Sequence, residues 1–134
     1  MSLDNAMQKA ISSIPECVAG GFIDLSSGML LSVKTVDSHP GEVMDLLAAA
    51  TTDLFQGSNV QSIEHIFKKA RGLPMDSHHY FQEIIVNSDN LVHLFLRGKT
   101  NEALVACFVC RRSTNLGMAL TKARMAMPEL ETSL

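Results

Sequence analysis

The sequence predicts a small domain of mixed α/β (α+β) class, in which strands form a sheet between layers of helices. The segment from Glu102 to Arg112 is apolar at both sets of alternating positions, which is typical of an inner strand that is covered on both faces. Four further strand-like segments form two pairs, each joined by a short polar turn that indicates a hairpin. Helix-periodic segments stand at both ends and between the hairpins. We therefore expect three layers in the order α-β-β-α-(α)-β-β-β-α.

Length and composition indicate one domain with surplus apolar surface. The 134 residues predict a single domain over 1–134, because a chain of this size buries roughly two-thirds of its unfolded surface in one core. Hydrophobic residues make up 46% of the chain and charged residues only 19%. This apolar fraction is high for a soluble monomer of this size, so we expect part of the apolar surface to lie in a contact between subunits.

Charge and hydropathy argue against two classes of partner. The net charge of −3 and the pI of about 5.9 provide no general attraction to nucleic acid or to anionic membranes. No run of apolar residues is long enough to span a bilayer, and the N-terminus lacks the pattern of a signal peptide. The three cysteines cannot all pair, which favours reduced thiols and a cytoplasmic location.

The first third of the chain predicts a helix and a hairpin. Apolar residues recur at helical spacing from Leu3 to Ile14, and Pro15 then stops the helix. Strands are predicted over Cys17–Asp24 and Met29–Thr35, with a polar turn between them. The adjacent glycines of the first strand, Gly20 and Gly21, predict a bulge or the close approach of another backbone.

The second helix, opening at Pro40, carries apolar residues on two adjacent stripes. The first stripe consists of Val43, Leu46, Leu47, Ala50 and Leu54, and the second of Met44, Ala48, Thr51 and Phe55. Together they cover roughly 200° of arc, whereas a helix that faces one partner needs about 100°. One stripe is expected to face the sheet. We predict that the second stripe, with Ile84 and Val86 of an edge strand over Tyr80–Asn87, forms a homodimer interface.

The rest of the chain predicts a short extra helix or a kinked continuation of the second helix, then a second hairpin and a final helix. Helical periodicity resumes at Val60, Ile63, Ile66, Phe67 and Ala70, after a capping-box spacing at Ser58 and Gln61. A loop over Leu73–His79 and a strand over Leu91–Arg97 complete the region before the inner strand. The final helix is predicted to begin after Asn115 and to end at Pro128. Two of its methionines, Met118 and Met125, lie opposite its main apolar stripe and are candidates either for contact with a partner or for cover by the chain itself.

Every motif with catalytic or ligand-binding potential fails on spacing or context. Cys107 and Cys110 form C-x-x-C, but residues three apart in a strand point to opposite faces, so both are predicted to be structural. Gly98-Lys99-Thr100 ends like a phosphate-binding loop but stands between two strands instead of opening a helix. His78-His79 is interpreted as a solvated loop pair, and Lys68, Lys69 and Arg71 as a solvated basic face. We predict no catalytic residue, no cofactor and no metal site.

Two segments carry a resemblance to a known family. The stretch from Ile14 to Gly28, IPECVAGGFIDLSSG, and the stretch from Arg111 to Leu120, RRSTNLGMAL, resemble the strand entry and last-helix entry of the roadblock / dynein light chain family. The order of elements is similar over nearly the whole chain. Glu16-Cys17 replaces the usual Gly-Val, and the segment from Val60 to His79 is longer than the family's usual connection.

The resemblance implies a profilin-like, five-stranded antiparallel sheet between helices. It also implies dimerisation through the central helix and the following edge strand, and a non-enzymatic role as adaptor or regulator, commonly of Ras-like small GTPases; bacterial members partner polarity or motility GTPases. Two alternatives remain open. A ligand-sensing module of PAS or GAF type would have a large internal pocket with converging polar groups, and an enzyme would show turnover.

Overall fold

The computed structural model describes residues 2–36, 41–75 and 78–134, and between 41 and 46 it describes the backbone only. Helices and strands follow one another in the predicted order. Their bounds are α1 (Leu3–Ser13), β1 (Cys17–Asp24), β2 (Met29–Thr35), α2 (Gly41–Gln56), α3 (Ser58–Arg71), β3 (Glu83–Asn87), β4 (Leu91–Arg97), β5 (Leu104–Arg111) and α4 (Leu116–Thr132). The predicted opening of α2 at Pro40 lies outside the described residues. None of the helices in the described ranges is long and apolar enough to cross a membrane.

The sheet has five strands in the order β2-β1-β5-β4-β3, and all neighbours are antiparallel. β5 lies at the centre, and its residues from Leu104 to Cys110 are buried. The prediction of an inner strand covered on both faces is therefore confirmed, as are the fold class and the bounds of β1, β2 and β4.

One face of the sheet is covered by α1 and α4, which pack side by side. Their apolar residues form one core with the strand residues on that face, among them Met7, Phe22, Phe108 and Leu130. Gly20 is explained by this packing, because a Cβ atom there would lie 2.9 Å from Met7 Sδ and 3.0 Å from Ile11 Cγ1. The predicted close approach is thus made by side chains of α1 instead of by another backbone.

Helix α4 begins as predicted but ends later. The Asn115 side chain accepts a hydrogen bond from the Met118 amide at 3.0 Å, which caps the first turn. The predicted end at Pro128 is wrong, since the helix continues to Thr132. Its last turn is retained because Leu130 is buried in the core and Glu131 accepts hydrogen bonds from the turn between β4 and β5.

The other face of the sheet is covered by α2, with α3 beside it. The buried residues on this face form a second core that includes Ala48, Phe55, Phe95 and Val105. α3 is a separate helix that follows Gly57. The predicted capping box is wrong: Gly57 occupies the cap without a side-chain hydrogen bond, and the Gln61 side-chain amide donates to the Gln56 carbonyl.

Strand β3 is shorter than predicted and begins at Glu83 instead of Tyr80. The Tyr80 amide donates to Glu64 Oε2 of α3 at 2.5 Å, so this part of the chain is bound to a helix and does not extend the sheet. β3 has β4 as its neighbour and lies at the sheet edge, which leaves an edge where another strand can pair.

Candidate interaction surface

The second apolar stripe of α2 faces the protein, and not a second subunit as the sequence suggested. Ala48, Thr51 and Phe55, assigned to the dimer interface, are buried inside the protomer. The fourth member of that stripe, Met44, has a side chain outside the described part of the chain. The assignment of this stripe to an interface is therefore corrected, because side chains that are already buried cannot meet a second subunit.

Packing around Phe55 explains why this stripe faces inward. The Phe55 ring meets the edge of the Phe95 ring at a centroid distance of 6.4 Å, and the Arg97 guanidinium lies 5.0 Å from the Phe55 centroid. Thr51 is tolerated in the core because its hydroxyl donates to the Leu47 carbonyl at 2.7 Å. None of these three contacts can be recognised from the hydrophobic pattern of α2.

Two exposed residues of the first stripe, Ala50 and Leu54, form the outer stripe of α2 and border an open apolar groove of about 610 Å³. The groove lies between α2, the start of α3 and the region of β3, and its lining residues are Ala50, Asp53, Leu54, Val60, Phe81 and Ile84. Leu54 is 37% exposed. One side chain, that of Asp53, brings a negative charge to this otherwise apolar rim.

The edge strand β3 continues the groove. Ile84 packs against the second core, whereas Ile85 and Val86 are 40% and 38% exposed. In the register of the sheet, Ile84 lies opposite Phe95 and Val86 opposite His93, so both follow the α2 side. Ile84 and Val86 thus lie where the sequence placed them, beside an apolar surface at an edge; their contact with a second subunit stays a prediction.

His93 adds a polar atom beneath this edge. Its ring stacks on the Phe95 ring with a centroid distance of 6.4 Å and an angle of 12°. Nδ1 is buried and has no hydrogen-bond partner among the described residues. Burial lowers the pKa of His93, and the backbone of Val86 opposes that shift by hydrogen bonding. The imidazole is therefore held toward its neutral form.

Helix α3 is inverted relative to an ordinary surface helix. Its buried residues are the charged Glu64 and Lys68. The apolar residues that predicted the helix lie outside: Ile63, Ile66, Phe67 and Ala70 are exposed, and Val60 is half-buried. An apolar stripe that faces water on an otherwise folded domain indicates a contact surface.

A polar network explains why the charged side of α3 faces inward. Glu64 pairs with the His79 ring at 3.1 Å and also accepts from the Tyr80 amide. Lys68 donates from Nζ to the His78 carbonyl at 2.5 Å. Two sequence interpretations are corrected here: Lys68 is buried instead of solvated, and His79 is held by a carboxylate instead of lying free in a loop.

Arg97 anchors the same region from the sheet. It is buried, and its guanidinium donates to the carbonyls of Phe81, Glu102 and Phe55 at 2.7, 2.9 and 3.1 Å. Glu102 also holds the His78 ring at 2.5 Å. Sequence reasoning missed this network. Its one available signal was the pair Glu64 and Lys68, one helical turn apart on the side next to the apolar stripe.

Met118 and Met125 lie on the outer surface of α4, on the side of the sheet away from the groove. They are 52% and 67% exposed, so the alternative that another part of the chain covers them is wrong. Between them, Arg124 binds Glu83 of β3 through two hydrogen bonds of 2.7 Å. Contact of the two methionines with a partner stays a prediction.

The cysteines lie in the core on both sides of the sheet. Cys107 belongs to the second core and Cys110 to the first, so the two side chains point to opposite faces as expected. Burial raises the pKa of Cys107 to about 12. Cys17 lies opposite Cys110 in the register of β1 and β5, and the hydrogen bond between their thiols, together with burial, raises the pKa of Cys17. Within the described residues, no three His, Cys, Asp or Glu side chains are grouped to hold a metal ion.

The turn at Gly98-Lys99-Thr100 joins two strands, as expected, and binds a carboxylate of the protein itself. Glu131 Oε1 of α4 accepts hydrogen bonds from the Thr100 amide, the Thr100 hydroxyl and the Asn101 amide at 3.0, 3.1 and 3.3 Å. The donors that would meet a phosphate in a nucleotide-binding loop are thereby engaged with α4.

Comparison with solved structures places the fold among roadblock domains. The Roadblock/LC7 domain from Streptomyces avermitilis superposes with a TM-score of 0.68 at 14% identity, over 98% of this chain and 97% of that chain. Myxococcus xanthus MglB gives a TM-score of 0.70 at 15% identity, over 97% and 92%. The gliding protein MglB from Thermus thermophilus gives 0.69 at 14% identity, over 99% and 91%.

These likenesses cover nearly the whole length of each chain. No protein-family model matches the sequence, and its comparison with curated proteins finds no match either. Identities this low show the fold alone. The chain therefore has the roadblock/LC7 fold, which confirms the resemblance read from the sequence.

Proposed function

We propose that this chain is a non-enzymatic, dimeric adaptor or regulatory protein that binds a Ras-like small GTPase. The observation that carries the proposal is the continuous apolar surface formed by the outer stripe of α2, the groove beside it and the edge strand β3. A surface of this kind is stabilised when a second protein covers it.

The dimer in this proposal is two-fold symmetric and uses the groove and the β3 edge. An unpaired edge strand offers a row of backbone donors and acceptors, and two copies of one edge pair with each other without leaving a free end in the interface. The groove next to that edge supplies apolar area. A stable interface of this type buries more than about 1,000 Å² in total.

The proposed GTPase contact lies on the opposite side of the molecule. Exposed Met118 and Met125 on α4 offer flexible apolar side chains that adapt to a partner surface. Because α4 covers one face of the sheet and α2 the other, a partner on α4 leaves the groove free. The choice of a GTPase rests on what resemblance to the roadblock family implies; two similar structures are of MglB, one named a gliding protein.

The proposal assigns no chemistry to the chain itself. It is supported by the turn at Gly98-Lys99-Thr100, whose donors bind Glu131. A ligand-sensing module would have its pocket inside the domain, whereas among the described residues buried apolar side chains form the cores on both faces of the sheet. A regulator without chemistry can still raise a GTPase rate by ordering the catalytic groups of its partner.

A matched pair of variants tests the dimer. Val86→Lys places a charge on the β3 edge, and Val33→Lys places the same charge on the other sheet edge, β2, where the side chain is similarly exposed, 37% against 38%. Light scattering should show a dimer for the wild type and for Val33→Lys, and a monomer for Val86→Lys. A wild-type monomer, or a dimer that Val33→Lys alone disrupts, would contradict the proposed geometry.

Binding to purified Ras-like GTPases of the source organism tests the function. Each GTPase is loaded with GDP or with a non-hydrolysable GTP analogue and titrated with the dimer; we expect affinity that depends on the bound nucleotide and that falls in a Met118→Glu/Met125→Glu variant. The isolated chain should neither bind nor hydrolyse GTP or ATP. Hydrolysis by the chain alone that disappears in Lys99→Ala would rule the adaptor function out.

A further inference from the structure

The exposed stripe of α3 has the spacing of a helix-pairing seam. Val60, Ile63, Phe67 and Ala70 follow one another at intervals of three, four and three residues, which is the a/d pattern of helices that pack lengthwise. Ile63 is 54% and Phe67 43% exposed. The charged residues beside this stripe, Glu64 and Lys68, face inward. The Tyr80 ring meets the Phe67 ring edge-on at a centroid distance of 5.1 Å and covers part of that side chain, but the outer side of the seam stays exposed.

Opposite charges stand at the two ends of this seam. Asp53 lines the groove together with Val60 at the N-terminal end. Arg71 ends the helix, and its guanidinium lies 4.9 Å from the centroid of the Phe67 ring. Neither residue forms an ion pair with another described residue. Val60, which lies beside Asp53 in the groove, and Arg71 stand eleven residues apart on α3, about 16 Å at a rise of 1.5 Å per residue, so Asp53 and Arg71 do not pair within one chain.

We propose that α3 packs antiparallel against α3 of a second copy of this chain, as part of the same two-fold interface as α2 and β3. This inference rests on the proposed dimer and extends it to the segment in which the chain departs from the family pattern. Under the two-fold axis, Asp53 of each copy lies next to Arg71 of the other. A parallel arrangement would instead place Arg71 against Arg71.

The second copy fits this surface for two reasons. Val60 belongs both to the groove and to the seam, so the two apolar surfaces are continuous and one partner covers both. The seam is also self-complementary, since it is apolar along its length and carries opposite charges at its ends. A partner that covered the α2–β3 surface without reaching α3 would leave the exposed parts of Ile63 and Phe67 in water.

The first test is a charge placed in the seam, with a neighbouring residue as control. Ile63→Glu should weaken dimerisation about 100-fold or more in sedimentation equilibrium, because each dimer loses two central apolar contacts. Ser62→Glu carries the same charge at an exposed position one residue away, outside the stripe, and should leave the dimer constant within about threefold. Circular dichroism melting verifies that both variants fold.

The second test is a charge exchange between the ends. At low salt, Asp53→Arg and Arg71→Asp should each weaken the dimer about tenfold, because each turns two attractions per dimer into repulsions. The double variant should return to within about threefold of the wild type. Such rescue distinguishes an antiparallel α3 pair from other contacts, because the two positions are too distant to meet in one chain.

The outcomes distinguish the proposed α2–β3 dimer from the antiparallel α3 pair. If Val86→Lys yields monomers while Ile63→Glu stays dimeric, the α2–β3 dimer stands and the α3 seam is overturned. If the wild type is monomeric, both are overturned. If Ile63→Glu dissociates the dimer but the charge exchange shows no rescue, the antiparallel arrangement is overturned.

Discussion

Both faces of the sheet carry apolar side chains, but they differ in how they are covered. On one face, α1 and α4 lie side by side, and Met7, Phe22, Phe108 and Leu130 are all fully buried between helices and strands. On the other, α2 covers the centre alone, and apolar side chains remain exposed along its outer stripe, on α3 and on β3. The first face is complete within one chain, whereas the second leaves apolar surface uncovered.

The difference comes from the orientation of a single helix. α3 lies on the incompletely covered side, but its charged residues face the protein and its apolar residues face outward. The network around Glu64 and Arg97 holds it that way. Because α3 packs on its own domain through ion pairs and hydrogen bonds, its apolar stripe is left exposed and available for contact with another protein surface.

The largest expected effect separates two neighbours on α2. Phe55→Ala should lower the free energy of unfolding by about 3–5 kcal/mol, because the ring is fully buried against Phe95 and Arg97. Leu54→Ala, at a residue 37% exposed, should cost less than about 1 kcal/mol and should weaken dimerisation instead. Urea denaturation of the two variants at the same protein concentration measures the two losses of unfolding free energy. Equal losses would mean that the two stripes are not distinct.

A somewhat smaller loss is expected at the anchor of α3. Arg97→Met should lower the free energy of unfolding by about 3 kcal/mol, since three buried or half-buried carbonyls lose their donor. The control is Arg112→Met, an exposed arginine that donates to the Ser88 carbonyl, with an expected cost below about 0.5 kcal/mol. If Arg97→Met also lowers the free energy of unfolding by less than about 0.5 kcal/mol, the network does not hold α3.

A pH-dependent effect is expected at His93. Burial lowers its pKa in the folded state, so below the unfolded pKa of about 6.5 the unfolded chain binds a proton that the folded chain excludes. Stability therefore falls as the pH drops from about 7 towards the folded pKa, by at most about 1.4 kcal/mol per pH unit from this group. His93→Phe, which keeps the stacking on Phe95, should remove that part of the slope. If wild type and His93→Phe lose the same unfolding free energy between pH 7 and pH 5, the assigned role of His93 is contradicted.

The smallest effect on stability is expected on the outside of the completely covered face. Changing Met118 and Met125 to serine should alter the free energy of unfolding by less than about 0.5 kcal/mol, because both are exposed. Met127→Ser, at a buried position of the same helix, should cost about 2 kcal/mol or more. Thermal melts followed by circular dichroism compare the two. A large loss from the exposed pair would mean that they stabilise the protomer instead of contacting a partner.

Particular elements show how far prediction from the sequence reached. The bounds of β1, β2 and β4 and the central position of β5 were predicted correctly, because runs of alternating or continuous apolar residues between polar turns have few other interpretations. The Asn115 cap was predicted from an equally local signal. The end of α4 was not, because Leu130 and Glu131 retain a turn that Pro128 alone would have broken.

The stripe of α2 that the sequence assigned to the interface was the wrong one, and contact of this region with a second subunit stays a prediction. α2 and the β3 edge do border the exposed apolar surface, but the stripe chosen on α2 was the buried one. The residues of the two stripes do not by themselves decide which stripe faces the sheet. The choice depends on Phe95 and Arg97, which are some forty residues away in the chain and meet Phe55 only in the folded state.

The sequence by itself determined the elements, their order and the existence of more apolar surface than one sheet and its helices can bury. Those properties follow from local periodicity and composition, which act over a few neighbouring residues. The tertiary structure alone decided which side of α2 and of α3 faces the protein. That choice depends on contacts between distant segments: an aromatic edge contact, and a buried guanidinium and carboxylate that require partners from other elements once they leave water.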